Sequence, residues 1–386
     1  MKQLVRFFVY PYSAGTARVL LALGAILLAI EGTWSVPIHT TYAFASYLVV
    51  LMLTLLVTVL SALKKRAKLG FILNHLGILL IISASFFGSP HVRRCKVILY
   101  EGEVSQLAYT DDNHLLTLPF PIALQDFEVE YYEQDGHSPR QFTSQLLVDG
   151  VPMTTAVNAP CSHEGWTIYQ HSYDQWEGAY SILLLVRDPW LPLVYLGMVM
   201  LAMGSVMLLF GKWRAKVTIP ITLVLTVGAT AFSVMKINFQ TLMPALRSWW
   251  FVPHLFLYMV AYSLMAFALV MWFVEHYKKG GVAAESWMKN MSENLVRSSS
   301  ALLIIGMLTG SVWARQAWGD YWAWDPKENW AAVTWLLSLM HLHLQHKRGW
   351  KAITILMLTF LALQITWYGV NYLPSAAESL HTYMKG

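Results

Sequence analysis

The chain has 386 residues, 56% hydrophobic and 13% charged, with a formal net charge of +5 and a mean hydropathy of +0.46. Soluble domains carry about 25% charged residues, so this composition excludes a soluble enzyme and points to a polytopic α-helical membrane protein. The positive balance reflects orientation in a membrane rather than nucleic-acid binding, because the basic residues gather in short loops beside apolar runs.

Apolar runs of about 17 or more residues can cross the hydrocarbon layer. About nine transmembrane helices are expected on that basis, near 14–31, 43–62, 70–87, 190–210, 217–236, 252–275, 299–314, 330–346 and 351–371. The first three form an N-terminal helical unit, 1–88. The first run lacks a small-residue cleavage site and reads as an anchor, not a signal peptide. Basic groups lie before the first run (Lys2, Arg6) and after the second (Lys64, Lys65, Arg66, Lys68). Others join the fourth and fifth (Lys212, Arg214, Lys216), the sixth and seventh (Lys278, Lys279, Lys289, Arg297) and the last two (Lys347, Arg348, Lys351). With nine spans all five groups share one side, which makes the N-terminus cytoplasmic and the C-terminus external.

Residues 89–189 follow the third run as an external, soluble-looking insertion. Stretches such as Cys95–Tyr100, Phe127–Tyr132, Thr167–Gln170 and Tyr180–Val186 alternate or are β-rich, with Gly and Pro between them, and predict a small β domain. Its two cysteines, Cys95 and Cys161, lie in a compartment that permits a disulfide; a bridge and two structural thiols are equally open. They form no CxxC, so the chain has no covalent haem attachment motif of its own.

The remaining unit, 190–386, is helical, with a polar cytoplasmic connector at 276–297. It holds the most informative stretch, Trp313–Trp330, WARQAWGDYWAWDPKENW. Trp313, Trp318, Trp322, Trp324 and Trp330, with Trp335 just beyond, surround a rigid Asp325-Pro326 turn beside Lys327 and Glu328. Indoles at a membrane surface can form an interfacial belt. A flat apolar platform edged by charges suits instead a large planar ligand with acidic side groups, haem foremost. Lys327 or Arg315 would meet a propionate, and Asp325 would fix the loop.

Depth selects among the 13 histidines. Ionisable residues inside spans default to a functional reading. His75, in ILNHLGILL, lies a little over one turn into the third run, and His343, in LMHLHLQHK, about one turn before the end of the eighth. Both fall at a similar depth from the cytoplasmic side, where two imidazoles can ligate one haem iron. A helix-bonding His75 and a snorkelling His343 are the plainer alternative. His341 points to another helix face, and His276 and His346 read as interfacial. Externally, His254 opens the sixth run after Pro253 and His381 follows the ninth, both flanking the tryptophan segment. The other external histidines, His39, His91, His114, His137, His163 and His171, read as surface residues.

These residues resemble a known family. WGDYWAWDPKENW looks like the WWD motif of the haem-handling protein superfamily, and the ending GVNYLPSAAESLHTY is similar to its CcsA-like branch. NHLGILLIISASFFGSP, LPFPIALQDFEVEYY and VNAPCSHEGWTIYQHSYD look like the ResB (CcsB-like) partner. Most of residues 65–386 thus resembles a compact, fused System II cytochrome c synthase. Asp320 occupies a variable motif position, and the external domain is shorter than in many such fusions.

The resemblance implies a bacterial cytoplasmic-membrane protein that moves haem b outward and joins it to CxxCH cysteines of an apocytochrome c. His75 and His343 would hold haem in transit; His254 and His381 would ligate it at an external site built on Trp313, Trp318, Trp322, Trp324 and Trp330. The nucleophilic thiols belong to the substrate, so the chain's contribution is positioning, by His254, His381 and Asp325. Haem, apocytochrome c, membrane lipid and thiol-reducing proteins are the implied partners. A haem transporter without ligase activity and a membrane haem-b electron carrier are the alternatives.

Overall fold

The computed structural model describes residues 14–133, 136–175, 179–210, 242–277, 282–344 and 350–379. Three helices open the chain: α1 (Ala14–Trp34), α2 (Tyr42–Lys64) and α3 (Leu69–Gly88). An eight-stranded antiparallel sheet follows. The chain then returns to helix with α4 (Leu191–Phe210), α5 (Phe251–Tyr277), α6 (Val282–Trp318), α7 (Pro326–Leu342) and α8 (Trp350–Trp367). Among the described residues seven helices, all but α7, are long and apolar enough to cross a membrane. Helix is the form such runs take because a bilayer supplies no partners for backbone polar groups. Of the nine expected spans, 217–236 lies outside the described residues. The run at 330–346 becomes α7, whose 17 residues reach about 25 Å at 1.5 Å per residue.

One expectation fails. Of the polar stretch 276–297 expected as a connector, residues 282–297 continue the following run as part of the single 37-residue helix α6. Serines here and at the start of the adjoining run explain why: Ser292 Oγ donates to the Ala268 carbonyl at 3.0 Å, and Ser299 Oγ to the Ala261 carbonyl at 2.7 Å, both on α5. These serines are turned inward against a neighbouring helix, with Leu295 and Val296 packed among Leu264, Met265 and Ala268.

Small residues bring the helices close, as they do where lipid removes the hydrophobic drive for association. Gly77 of α3 faces Gly197 of α4, where a Cβ would lie 2.8 Å from the Gly197 carbonyl oxygen. One turn along α3, Asn74 abuts Gly204 and its Oδ1 accepts from Ser205 Oγ at 3.2 Å. On the other side of the bundle α1 packs on α7, and α7 on α8.

The sheet comprises β1 (Arg93–Tyr100), β2 (Val104–Tyr109), β3 (Leu115–Tyr131), β4 (Pro139–Val148), β5 (Val151–Ala156), β6 (Cys161–His163), β7 (Trp166–Tyr173) and β8 (Tyr180–Arg187). Its order is β5-β4-β3-β2-β1-β8-β7-β6, so the first and last long strands pair at the centre. The ends roll toward each other: Thr155 Oγ1 on β5 donates to the Ile168 carbonyl on β7 at 3.0 Å. Alternate residues such as Val97, Leu99, Phe120, Ile122, Leu146, Ile168 and Leu185 fill the resulting barrel-like interior.

Cys95 and Cys161 are both free thiols. Cys95 pairs across with Leu185, Leu185 with Ile168, and Ile168 with Cys161. Three strand spacings of about 4.8 Å separate the thiols along the sheet, beyond the roughly 7 Å Cα limit for a disulfide. Burial holds the Cys95 thiol up at about 11 and raises that of Cys161, which marks structural rather than reactive cysteines.

Candidate functional site

The tryptophan segment is the joint between α6 and α7. Gly319 ends α6 in the left-handed region, at φ +86°, where glycine is unstrained. Asp325 starts α7: its carboxylate accepts from Lys327 N at 2.8 Å, while Glu328 Oε2 accepts from Asp325 N at 3.2 Å and Ala323 N at 2.8 Å. This is a complete capping box with Pro326 in the first turn, the device that Asp-Pro-Lys-Glu spacing encodes. Ser379 Oγ reaches the same Asp325 carboxylate at 3.2 Å and ties the tail to the joint. Asp325 therefore fixes the loop, and both acidic side chains of the motif are engaged with backbone.

Trp324 is held at φ +60°. For a bulky residue this costs about 1–3 kcal/mol. Its carbonyl accepts from Asn329 Nδ2 at 2.9 Å, and its indole lies 4.6 Å from the His39 ring, only 4° from parallel. Such a ring pair returns about 0.5–1.5 kcal/mol, enough to offset much of that strain.

A cavity of about 270 Å³, open to the outside, lies between α5, α6, α7 and α8, lined by His254, Tyr258, Tyr262, Trp313, Trp322, Lys327, Glu328 and Trp367 among others. That is near the lower end of small-molecule sites. His254 Nδ1 lies 2.8 Å from the Gly306 carbonyl of α6; the bond places the imidazole lone pair on Nε2, the arrangement of a metal-ligating histidine. Gly310 makes room for the ring, since a Cβ there would lie 2.5 Å from Nδ1. Trp313, 2% exposed, backs His254 with ring centroids 5.8 Å apart. Its Nε1 donates to the Ala245 carbonyl at 2.8 Å. This segment just before α5 is gripped by the β domain, because Asn158 Nδ2 donates to the Pro244 carbonyl at 2.8 Å and the Ala245 carbonyl at 3.1 Å.

Not every residue expected at the platform reaches the cavity. Trp313, Trp322, Lys327 and His254 line it. Trp318 packs behind Trp313, ring centroids 5.0 Å apart and tilted by 55°; Trp324 faces His39; Trp330 abuts Gly32 of α1. Arg315 is a correction. At 5% exposure it sits 5.6 Å over the Tyr169 ring of β7 and donates to the Gly319 carbonyl, so it bolts the joint to the β domain instead of facing the cavity. Arg94 of β1 pairs with Asp320 beside it. His39 is the second correction: it is no plain surface residue but is paired with buried Glu31 and stacked on Trp324. Its signal was Glu31, an acidic residue at the end of the first apolar run. His163 is likewise half-buried, edge-on to Phe120. His381 lies outside the described residues.

At the opposite end lie His75 and His343. His75 is in the second turn of α3 and His343 is the C-cap of α7, because α7 stops a turn earlier than its apolar run. The two imidazoles are near enough to interact electrostatically. Each directs Nδ1 to its own i−4 carbonyl, Phe71 and Leu339, at 2.8 Å, which again puts the lone pair on Nε2. His341 is buried elsewhere, its Nδ1 3.3 Å from the Ala352 carbonyl of α8.

Two family models match the chain in order: the ResB-like family over residues 57–185 and the Cytochrome C assembly protein family over 190–377. Curated relatives named cytochrome c biogenesis protein CcsA match as well. That of Mesostigma viride is 29% identical over 43% of this chain and 66% of its own length. That of Chlamydomonas reinhardtii is 34% identical over 46% and 53%, and that of Prochlorococcus marinus (strain NATL1A) 30% over 44% and 68%. The chain spans about half to two thirds of the length of these relatives. With a ResB-like half preceding a CcsA-like half in one polypeptide, the chain belongs to the CcsA cytochrome c biogenesis family as a fused ResB/CcsA System II membrane protein.

Proposed function

We propose that the protein carries haem b from the cytoplasmic to the external face of a bacterial inner membrane and catalyses its attachment to CxxCH cysteines of apocytochrome c. His75 and His343 form the inner iron site. The outer site is the cavity at His254, with His381 as its second ligand, Trp313 and Trp322 against the ring, and Lys327 at a propionate. Trp318, Trp324 and Trp330 support the platform from behind. The observation that carries this reading is His254: an imidazole with its tautomer set, facing a cavity walled by indoles with one lysine in reach.

The chemistry is an addition. A substrate thiol adds across a haem vinyl group, the carbon–sulfur bond forms, and the thiol proton goes to the other vinyl carbon, so no oxidant or reductant is consumed in the step. Holding thiol and vinyl together is where such a site gains most, since good orientation is worth effective molarities of about 10⁵ M or more. The β domain, rooted at the joint through Arg94 and Arg315, is placed to receive the apocytochrome. Co-expression with a CxxCH apocytochrome in a host without its own maturation system tests the reading. A covalent haem product that is lost with His254→Ala supports a synthase; haem export without covalent product would reduce the protein to a transporter.

A further inference from the structure

The outer site has a back wall that neither family match covers. The ResB-like match begins at residue 57, yet α1 and the turn Ile38–Thr40 precede it and pack on α7 and the tryptophan joint. Glu31, at the end of α1, is 4% exposed. A buried carboxylate is costly unless both paired and hydrogen-bonded, and Glu31 is served at each oxygen. His39 Nδ1 contacts Oε1, and the His39 backbone N–H donates to Oε2 at 3.1 Å. The imidazole is thereby fixed in place and in plane.

That plane is the one on which Trp324 rests. Among the described residues three rings contact this indole: Phe44 meets it edge-on at 85°, Trp322 at 87°, and His39 lies parallel at 4°. Edge contacts bound an indole's perimeter; the flat stack sets its tilt. We propose that Glu31 and His39 are positioning residues of the outer site. The carboxylate orients the imidazole, the imidazole holds Trp324 in its left-handed conformation, and Trp324 carries Trp322 to the cavity. The first helix, outside both matched stretches, is on this view part of the haem-binding apparatus. The inference rests on the reading of the cavity as a haem site.

The test uses the full chain in detergent, with His39→Ala, His39→Phe, Glu31→Gln and His254→Ala. Haem is titrated by absorption, indole packing is followed by near-ultraviolet circular dichroism, and thermal unfolding is recorded for each. His39→Ala is expected to weaken haem binding about tenfold, the scale on which one lost orienting contact acts, and to change the indole dichroism. His39→Phe restores a flat ring on Trp324 and recovers most of the affinity; Glu31→Gln falls between. Unchanged outer-site affinity and dichroism in His39→Ala and Glu31→Gln, with outer-site haem lost in His254→Ala, would overturn the proposal and leave the site reading standing. Equal falls in affinity and unfolding temperature, with His39→Phe no better than His39→Ala, would make the pair mere scaffold and overturn it too. A wild-type chain that takes no haem overturns both.

Discussion

His75, His254 and His343 share one local device: each directs Nδ1 to a backbone carbonyl at 2.8 Å. The carbonyl's origin separates them. His75 and His343 use their own helices, so their tautomers survive wherever α3 and α7 form. His254 uses Gly306 of α6, so its orientation depends on α5 and α6 packing closely. Gly306 and Gly310, one turn apart, are what allows that approach, with Tyr258 against the first and His254 against the second. Gly310→Ala should therefore damage the outer site alone. Overpacking of this kind costs about 1–3 kcal/mol, or roughly tenfold to a hundredfold in outer-site haem affinity, while the inner site keeps its spectrum. Absorption spectra of Gly310→Ala with and without His75→Ala would resolve the two; loss of the inner-site signal in the single variant would refute the division. His75 and His254 were legible in the sequence because an imidazole in or beside an apolar run is conspicuous. His39 was not, because what gives it meaning is Trp324, brought to it only by the packing of α1 on α7.

At the scale of elements, the joint between α6 and α7 is a capped helix start fastened to a β domain. The cap was written in the chain: Asp325, Pro326 and Glu328 at those spacings have few other uses. Replacing Asp325 with Ala should lower stability by about 0.5–2 kcal/mol and free the Ser379 contact, read as a lower unfolding temperature; an unchanged melt would show that the cap is redundant. The fastening was not legible, since no local pattern announces that Arg94 of β1 faces Asp320. Its two parts differ in weight. The Arg94–Asp320 pair is about a third exposed, and exposed pairs contribute about 0–1 kcal/mol, whereas Arg315 is buried over Tyr169. Arg94→Ala should thus leave the melt almost unmoved, and Arg315→Ala should lower it clearly. The reverse order would mean that the ion pair, not the packing, holds the β domain to the joint. The polar first half of α6 was misread for a related reason: composition shows that a face is polar, not that its serines bond a neighbouring helix.

For the molecule as a whole, the functional reading depends on which end of the bundle faces outward. α3 separates the turn at 64–68 from the β domain by its 20 residues, about 30 Å at 1.5 Å per residue, which matches the hydrocarbon thickness of about 30 Å. The turn carries Lys64, Lys65, Arg66 and Lys68, and basic loops stay in the cytoplasm. His75 lies toward the turn, while the tryptophan joint is fastened to the β domain, so on the proposed function orientation decides which of the two sites haem meets first. The two native cysteines make the test clean, since both are unbridged thiols of the β domain and replacing them by alanine leaves a background without thiols. In that background a cysteine at exposed Asp112, in the turn between β2 and β3, should react with a membrane-impermeant maleimide on intact cells. A cysteine at exposed Lys64 should react only after lysis. Labelling of both positions from outside would mean that α3 does not span the membrane. The inverted pattern would place the His75–His343 pair at the external face and reverse the direction of haem movement.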